Sequence, residues 1–435
     1  MQPLRIGVAG LGTVGAGVIK ILSERQERLA LAAGRPFEIA AVSARDPNKQ
    51  RGLDLGKARW VNDARELAAA QDIDLVIELI GGAEGVAREL VEAALKSGKH
   101  VVTANKALVA AHGVTLARLA EAGKVALNFE AAVAGGIPVI KTLREGLVGN
   151  QIESISGILN GTCNYILTEM EKTGRDFADV LKDAQALGYA EADPSFDVGG
   201  IDAAHKLAIL ASLAFGAEVD FANVSAEGIE RITATDIRFA REFGYKIKLL
   251  GIASKSAAGV EQRVHPALVS EKTPLARVNG VFNAVAIRAD RAGLLVLEGR
   301  GAGEGPTASA VISDVVDVAR GVVLPPFILP VSSLRKPGRL AGERREGAYY
   351  LRLHAADRAG SMAEITRALA QASVSIERIV QRGDEDGESK GRLPVVFVTH
   401  KTDEGTMQKA LALLAEHEDV AGDPLMIRIV DAESR

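Results

Sequence analysis

An apolar run from Leu4 to Ala9 leads directly into Gly10, Gly12 and Gly15, spaced G-x-G-x-x-G, and a helical pattern follows through about Leu29. Few architectures accept a strand, a glycine turn and a helix in that order. The first glycine permits the tight turn, the second lets a pyrophosphate approach the backbone, and the third lets helix and strand pack closely. The helix N-terminus then faces the phosphates with unpaired N–H groups. A bare G-x-G-x-x-G is a weak signal. Between a strand and a helix it predicts dinucleotide binding at Gly10, Gly12, Thr13, Val14 and Gly15.

A second strand, Glu38 to Ser43, ends without the acidic residue that would bind a ribose 2′-hydroxyl. Ser43 and Arg45 stand there instead, with Lys49 and Arg51 close behind, which favours a 2′-phosphate and hence NADP. Asp46 keeps NAD open, and a solvated Arg–Asp loop would read the same way. Alternation continues through a strand at Asp74–Ile80, a helix at Val86–Ser97, a strand at Val101-Val102, a helix at Leu108–Ala122 and a strand at Lys124–Phe129. The expectation is an α/β chain whose first domain, residues 1–137, is a Rossmann doubly wound parallel sheet. Lys106 falls just past a strand end, where such sheets bind ligands. The glycine-rich exit EAAVAGGIP, Glu130 to Pro138, can turn carbonyl oxygens toward a ligand or cation, or serve as a plain turn into a helix from Pro138 to Gly146.

From Gln151 the pattern changes. A strand, Ile152–Leu159, precedes Asn160-Gly161-Thr162, and helices follow at Asn164–Glu171 and Phe177–Leu187, with Gly188 as C-cap. Another helix runs from Ile201 to about Phe215, and strand-like runs fill Ala226 to Gly299. These predict an α+β domain on one sheet, residues 138–303. A second glycine-rich loop, Gly299 to Gly305, opens a helix at Pro306-Thr307, and residues 304–321 are expected to return to the nucleotide domain. The proline-rich stretch 322–347 reads as a linker with a solvated basic end, Arg335, Lys336, Arg339, Arg344 and Arg345. Residues 348–435 give the order βαββαβ, a ferredoxin-like unit.

Composition narrows the classes of function. Lys+Arg 52 against Asp+Glu 56 leaves a net charge of −4, which disfavours nucleic acid and anionic membrane as partners. With Cys163 the single cysteine, an intramolecular disulfide and a thiolate metal cluster are excluded. No charged-then-apolar segment precedes the first strand, and no apolar run approaches the ~18 residues of a membrane span. A cytoplasmic protein is expected.

The densest chemistry lies in Ala184 to Lys206, AQALGYAEADPSFDVGGIDAAHK. If Ile201 onward is helical, Asp202 and Lys206 share a face and meet. Spacing alone fits an ordinary ion pair equally well. The whole stretch, however, follows A-x3-G-[aromatic or aliphatic]-[small]-x2-[D/N/S]-P-x2-D-[aliphatic]-x-G-x-D-x3-K without departure, at Ala184, Gly188, Tyr189, Ala190, Asp193-Pro194, Asp197-Val198, Gly200, Asp202 and Lys206. With GLGTVG at 10–15, TANK at 103–106, EAAVAGGIP at 130–138, GILNGTCNYIL at 157–167 and GRGAGEGPTASAV at 299–311, the chain resembles bacterial homoserine dehydrogenases that carry a C-terminal ACT regulatory domain.

The resemblance implies NAD(P)-dependent interconversion of L-aspartate 4-semialdehyde and L-homoserine, a step toward threonine, isoleucine and methionine. It implies Lys206 as proton donor and Glu191 and Asp202 as holders of the amino-acid substrate. It places Lys106 at the cofactor–substrate junction, and Gly188 and Gly303 beside the nicotinamide. Glu130, with carbonyls of Val133, Gly135 and Ile137, resembles a monovalent cation site, usually sodium. An amino-acid effector, with threonine the first candidate, would sit near Asp357–Gly360, and a homodimer or homotetramer is implied. The residue types agree with the chemistry, since reducing an aldehyde needs a proton donor at oxygen and a carboxylate neighbour favours a charged amine. A semialdehyde dehydrogenase working through a thioester would need a nucleophilic cysteine, and Cys163 in an apolar helix is better read as a buried structural thiol. A non-catalytic sensor would not need the intact Glu191/Asp202/Lys206 set. His205 points about 100° away from Lys206 on the helix and is given no role.

Overall fold

Six strands open the structure, a computed structural model that describes residues 2–256, 259–336, 345–382 and 391–430. In chain order the first domain runs β1 (Leu4–Ala9), α1 (Thr13–Glu24), α2 (Gln26–Ala33), β2 (Phe37–Ser43), β3 (Arg59–Trp60), α3 (Glu66–Ala69), β4 (Leu75–Glu78), α4 (Val86–Lys96), β5 (His100–Thr103), α5 (Lys106–Gly123) and β6 (Leu127–Asn128). The strands pair in parallel in the order β3-β2-β1-β4-β5-β6, the expected doubly wound sheet. Both faces are covered, which is why β1 and β4 are nearly continuous apolar runs rather than alternating ones. The strand order reverses between β1 and β4, so a crevice opens there beyond their carboxyl ends. Several bounds differ from expectation by a few residues, and two of these differences have a visible cause. α5 starts at Lys106, because the Asn105 side chain caps it by accepting from the Leu108 N–H. β6 is only two residues long, because the chain turns into a short 3₁₀ segment at Glu130–Ala132.

The second domain comprises α6 (Val139–Lys141), β7 (Ile152–Ile158), α7 (Gly161–Thr173), α8 (Phe177–Ala186), α9 (Ser195–Val198), α10 (Ile201–Phe215), β8 (Ser225–Ala226), α11 (Ala234–Glu242), β9 (Tyr245–Ser256), β10 (Gly259–Ser270), β11 (Phe282–Ala289), β12 (Gly293–Arg300) and α12 (Glu304–Ala319). The helix expected over 138–146 is α6 followed by a π-helical turn, Thr142–Gly146. α12 begins at Glu304, two residues earlier than its proline suggests, and it packs against α1. Gly17 of α1 makes the contact possible: a Cβ there would lie 2.8 Å from Glu304 and 3.0 Å from Ala308. Ala308, Val311, Ile312 and Val315 then join the core beneath β1.

Residues 322–336 do not run free in solvent. Phe327 is fully buried, its ring 5.4 Å from that of Phe129 and filling the space over Gly113 of α5. Of the basic end, Arg335 and Lys336 are exposed as expected, and Arg339 and Arg344 lie outside the described residues. Arg345 is half-buried, with Nη1 enclosed, because it packs among charges of the last domain.

The C-terminal unit contains β13 (Glu346–Gly347), β14 (Tyr349–Ala356), α13 (Ser361–Gln371), β15 (Ile376–Gln381), β16 (Arg392–Thr399), β17 (Thr402–Asp403), α14 (Glu404–Ala415) and β18 (Val420–Val430). The βαββαβ order is the expected one, but the unit is not a separate body. β18 pairs in parallel with β10, so one sheet runs β12-β11-β7-β9-β10-β18-β14-β16-β15 through both domains. Tyr350, Val396, Val398, Leu425, Ile427 and Ile429 share a core with Ile237, Phe239 and Leu249. The Tyr350 hydroxyl and the Arg352 Nε both donate to Asp236 of α11, at 2.9 and 2.7 Å.

Candidate active site

Where the first domain meets the second, a cleft of about 590 Å³ is lined by Val14, Lys106, Asn160, Glu191, Asp197, Asp202, Lys206 and Gly303, among others. α10 is helical from Ile201, so Asp202 and Lys206 do fall on one face. The Lys206 Nζ donates to Asp202 Oδ2 at 2.8 Å and to the Leu159 carbonyl at 2.7 Å. An ammonium has three N–H groups. Two are thus fixed by protein, and the third is left for the cleft. Asp202 is itself shared: Lys106 Nζ approaches Oδ1 at 3.0 Å and Asn160 Nδ2 donates to Oδ2 at 2.9 Å. Burial alone would push the Asp202 carboxyl up. The charges of Lys206 and Lys106, with hydrogen bonds from Lys206 and Asn160, outweigh burial and hold it well below the usual carboxylate range.

Asn160 joins several parts of this arrangement. Its Oδ1 caps α7 by accepting from the Cys163 N–H at 2.8 Å, and its Nδ2 also donates to Asp197 Oδ1 at 2.8 Å. Burial and the nearby Asp202 charge raise the Asp197 carboxyl. Cys163 lies beneath, fully buried, donating from Sγ to the Asp197 carbonyl at 3.2 Å. Burial pushes its thiol up, so it is no nucleophile, and the thioester alternative loses its group. His205 is stacked against Phe221, ring centroids 4.0 Å apart, and the Phe196 ring centroid lies 5.6 Å from it.

Glu191 is exposed at the rim, and no described residue pairs with its carboxylate. Gly188 sits beyond the end of α8 at φ +75, and Gly303 precedes α12 at φ +118, both lining the cleft. In the glycine turn, the three positions separate by space. Gly10 is at φ +100 with a would-be Cβ 2.4 Å from the Leu79 carbonyl, and at Gly15 a Cβ would lie 2.0 Å from the Gly10 carbonyl. Gly12 has nothing within 4 Å, leaving the N-terminus of α1, with Thr13 and Val14, open to a ligand. Ser43 is buried at the end of β2, its carbonyl accepting from the Gly10 N–H at 2.8 Å, while Arg45 is exposed beside it. Arg51 is tied to the carbonyls of Leu11, Lys49 and Asp46.

The Glu130 carboxylate is committed to backbone: Oε1 accepts from the Ile140 N–H at 2.9 Å and Oε2 from the Lys141 N–H at 2.8 Å. Its own N–H donates to Asp314 Oδ2 at 2.9 Å. Burial, with Asp314 alongside, pushes the Glu130 carboxyl up to about 7. No donor among the described residues reaches the carbonyls of Val133 and Gly135, both in buried positions, whereas Ile137 accepts from the Val139 N–H at 2.8 Å. Among the described residues no cluster of His, Cys, Asp and Glu has the makings of a metal site, and no helix is long and apolar enough to cross a membrane.

Residue patterns gave Asn160 and Asn105 no role, although Asn160 donates to both Asp197 and Asp202 and Asn105 caps the helix that begins at Lys106. Glu78 was missed as well. It is buried at the end of β4, accepts from the Ile80 and Gly81 N–H groups and the Thr103 hydroxyl, and so fixes the crevice floor. An Asn directly before a helix was the available signal for the first two.

A nucleotide crevice facing a buried lysine–carboxylate set defines the class: this is an NAD(P)-dependent oxidoreductase acting on a CH–OH group. The family profiles described as homoserine dehydrogenase match residues 138–316, its NAD binding domain residues 10–130, and the ACT domain residues 349–419. The chain belongs to the homoserine dehydrogenase family. It is 46% identical over 435 residues to the homoserine dehydrogenase of Pseudomonas aeruginosa, covering 99% of each chain. The crystal structure of a homoserine dehydrogenase from Thiobacillus denitrificans superposes with a TM-score of 0.92 at 45% identity, covering 99% of both chains. A hyperthermophilic archaeal homoserine dehydrogenase in complex with NADPH gives a TM-score of 0.63 at 27% identity, over 74% of this chain and 99% of that one.

Proposed function

We propose that the chain reversibly reduces L-aspartate 4-semialdehyde to L-homoserine, in the route to threonine, isoleucine and methionine. The observation that carries the reading is the Lys206 ammonium, fixed by Leu159 and Asp202 with one N–H to spare at a nucleotide cleft. A reduced nicotinamide held beside Gly188 and Gly303 would supply a hydride to the aldehyde carbon. Lys206 gives its spare proton to the aldehyde oxygen, which neutralises the developing alkoxide, and bulk solvent reprotonates the amine afterwards. Asp202 keeps the ammonium aimed and shares its other oxygen with Lys106. Glu191, a carboxylate with no described partner, takes the substrate ammonium. Gly188 and Gly303 leave space for the nicotinamide face.

The exposed Arg45 at the end of β2 supports NADP over NAD, as does the NADPH bound by the archaeal relative. The unsatisfied carbonyls of Val133 and Gly135 fit a monovalent cation, sodium first, which the main-chain oxygens of Glu130 and Ile137 would complete; it would stiffen the exit loop from the first domain. At the effector loop, Gly360 has φ +95, and the next residue, Ser361, carries a buried hydroxyl without a partner at the N-terminus of α13, which supports amino-acid binding and threonine feedback there. The test is NADPH oxidation with aspartate semialdehyde, repeated with NADH, with sodium exchanged for choline, and with threonine added. Folded protein that oxidises neither cofactor would refute the reading.

A further inference from the structure

We infer that Arg428 is a positioning residue for the active-site carboxylates, acting from the C-terminal unit through Glu227; the inference rests on Asp202 and Lys206 being the reacting set. Arg428 lies on β18, the strand that carries the shared sheet from the second domain into the C-terminal unit, opposite Ala267 of β10 on one side and Tyr349 of β14 on the other. Its side chain is buried and forks the Glu227 carboxylate, Nη1 to Oε2 at 3.0 Å and Nη2 to Oε1 at 2.8 Å. The same guanidinium reaches Glu404, the first residue of α14, from Nε at 3.1 and 3.2 Å. One group therefore ties a helix of the C-terminal unit to the segment leaving β8.

That segment is in backbone contact with the active-site turn. The Glu227 N–H donates to the Val264 carbonyl at 2.8 Å, and the Ile229 N–H donates to the Val198 carbonyl at 3.0 Å. Gly228 lies so close that a Cβ would stand 2.5 Å from the Val198 carbonyl. Gly200 abuts the same segment, its would-be Cβ 3.1 Å from Val264 and 3.5 Å from the Glu227 carbonyl. Val198 and Gly200 sit between Asp197 and Asp202, the two carboxylates that Asn160 bridges. A shift of β18 pulls Glu227, and Glu227 to Ile229 carry that shift into the turn. A bidentate, charge-assisted pair is suited to transmitting position because its planar fork fixes direction as well as distance.

Glu227→Gln and Arg428→Gln, alone and together, test this, with Arg428→Lys as the conservative variant. Glu227 is half-exposed, so its substitution spares the fold. Expected is a fall of about tenfold in kcat for homoserine oxidation in each single variant, the factor a charged hydrogen bond is worth, with KM for NADP within about twofold. The double variant should be no worse than Arg428→Gln alone, which already loses the Glu227 pair, and Arg428→Lys should recover part of kcat. Amide exchange over residues 195–203, readable without any turnover, should quicken in Glu227→Gln. Wild-type kcat and unchanged exchange in Glu227→Gln, or multiplicative losses in the double variant, would overturn the inference.

Discussion

Replacing Asp202 by Asn removes one charge from the centre of the site while keeping its shape. Asp202 is buried and holds Lys206 at 2.8 Å, Lys106 at 3.0 Å and Asn160 at 2.9 Å. Removing one partner of a buried ion pair costs about 3–5 kcal/mol. If about half of that serves to aim the ammonium, kcat falls by about 10- to 100-fold. The remainder appears as stability, with a definite pH dependence. The Asp202 carboxyl is depressed in the folded chain, so its contribution is complete above the unfolded value near ~3.9 and is lost as pH falls through the folded one. The melting temperature of Asp202→Asn should therefore lie below that of the wild type by a constant margin from pH 5 to 8, and the margin should close only below about pH 4. Kinetics with homoserine and NADP, beside calorimetry across pH, check both parts. Full kcat, or a margin that closes near neutrality, would refute the reasoning.

Gly12→Ala should fold normally, because nothing lies within 4 Å of its would-be Cβ, and should weaken cofactor binding if the proposed pyrophosphate approaches there, whereas Gly15→Ala should lower the melting temperature, its Cβ falling 2.0 Å from the Gly10 carbonyl. Thermal melts and KM for NADP distinguish the two. The raised carboxyl of Glu130 means the folded chain holds a proton that the unfolded chain has released, so stability should fall between about pH 4.3 and the folded value of about 7. Asp314→Asn removes the neighbouring charge and should flatten that fall in a pH series of melts. Deleting residues 348–435 should destabilise the chain rather than merely deregulate it, since β10 loses β18 and a shared core is opened. A truncated chain that melts like the full one would contradict this.

Local chemistry was legible in the sequence. The glycine turn, the α10 face carrying Asp202 and Lys206, and the βαββαβ order all follow from short-range spacing. What spacing could not show was assembly. Lys106 reaches Asp202 from a helix on another domain, and Asn160 reaches it from the end of β7. The prolines at 325, 326 and 330 suggested a linker, but Phe327 among them is buried against Phe129 and Gly113 because a large apolar side chain found a glycine-sized gap. Arg345 looked solvated for want of any sign that β18 would bring Arg428, and α14 Glu404, beside it.

The most direct test of the central claim compares wild type with Lys206→Met in NADPH oxidation by aspartate semialdehyde, at equal cofactor occupancy measured by NADPH fluorescence. The account predicts turnover in the wild type and a loss of about 100- to 10,000-fold in the variant, the range of general acid catalysis, with NADPH still bound. Equal rates in the two proteins, or a folded wild type that binds NADPH and leaves the semialdehyde untouched, would contradict it.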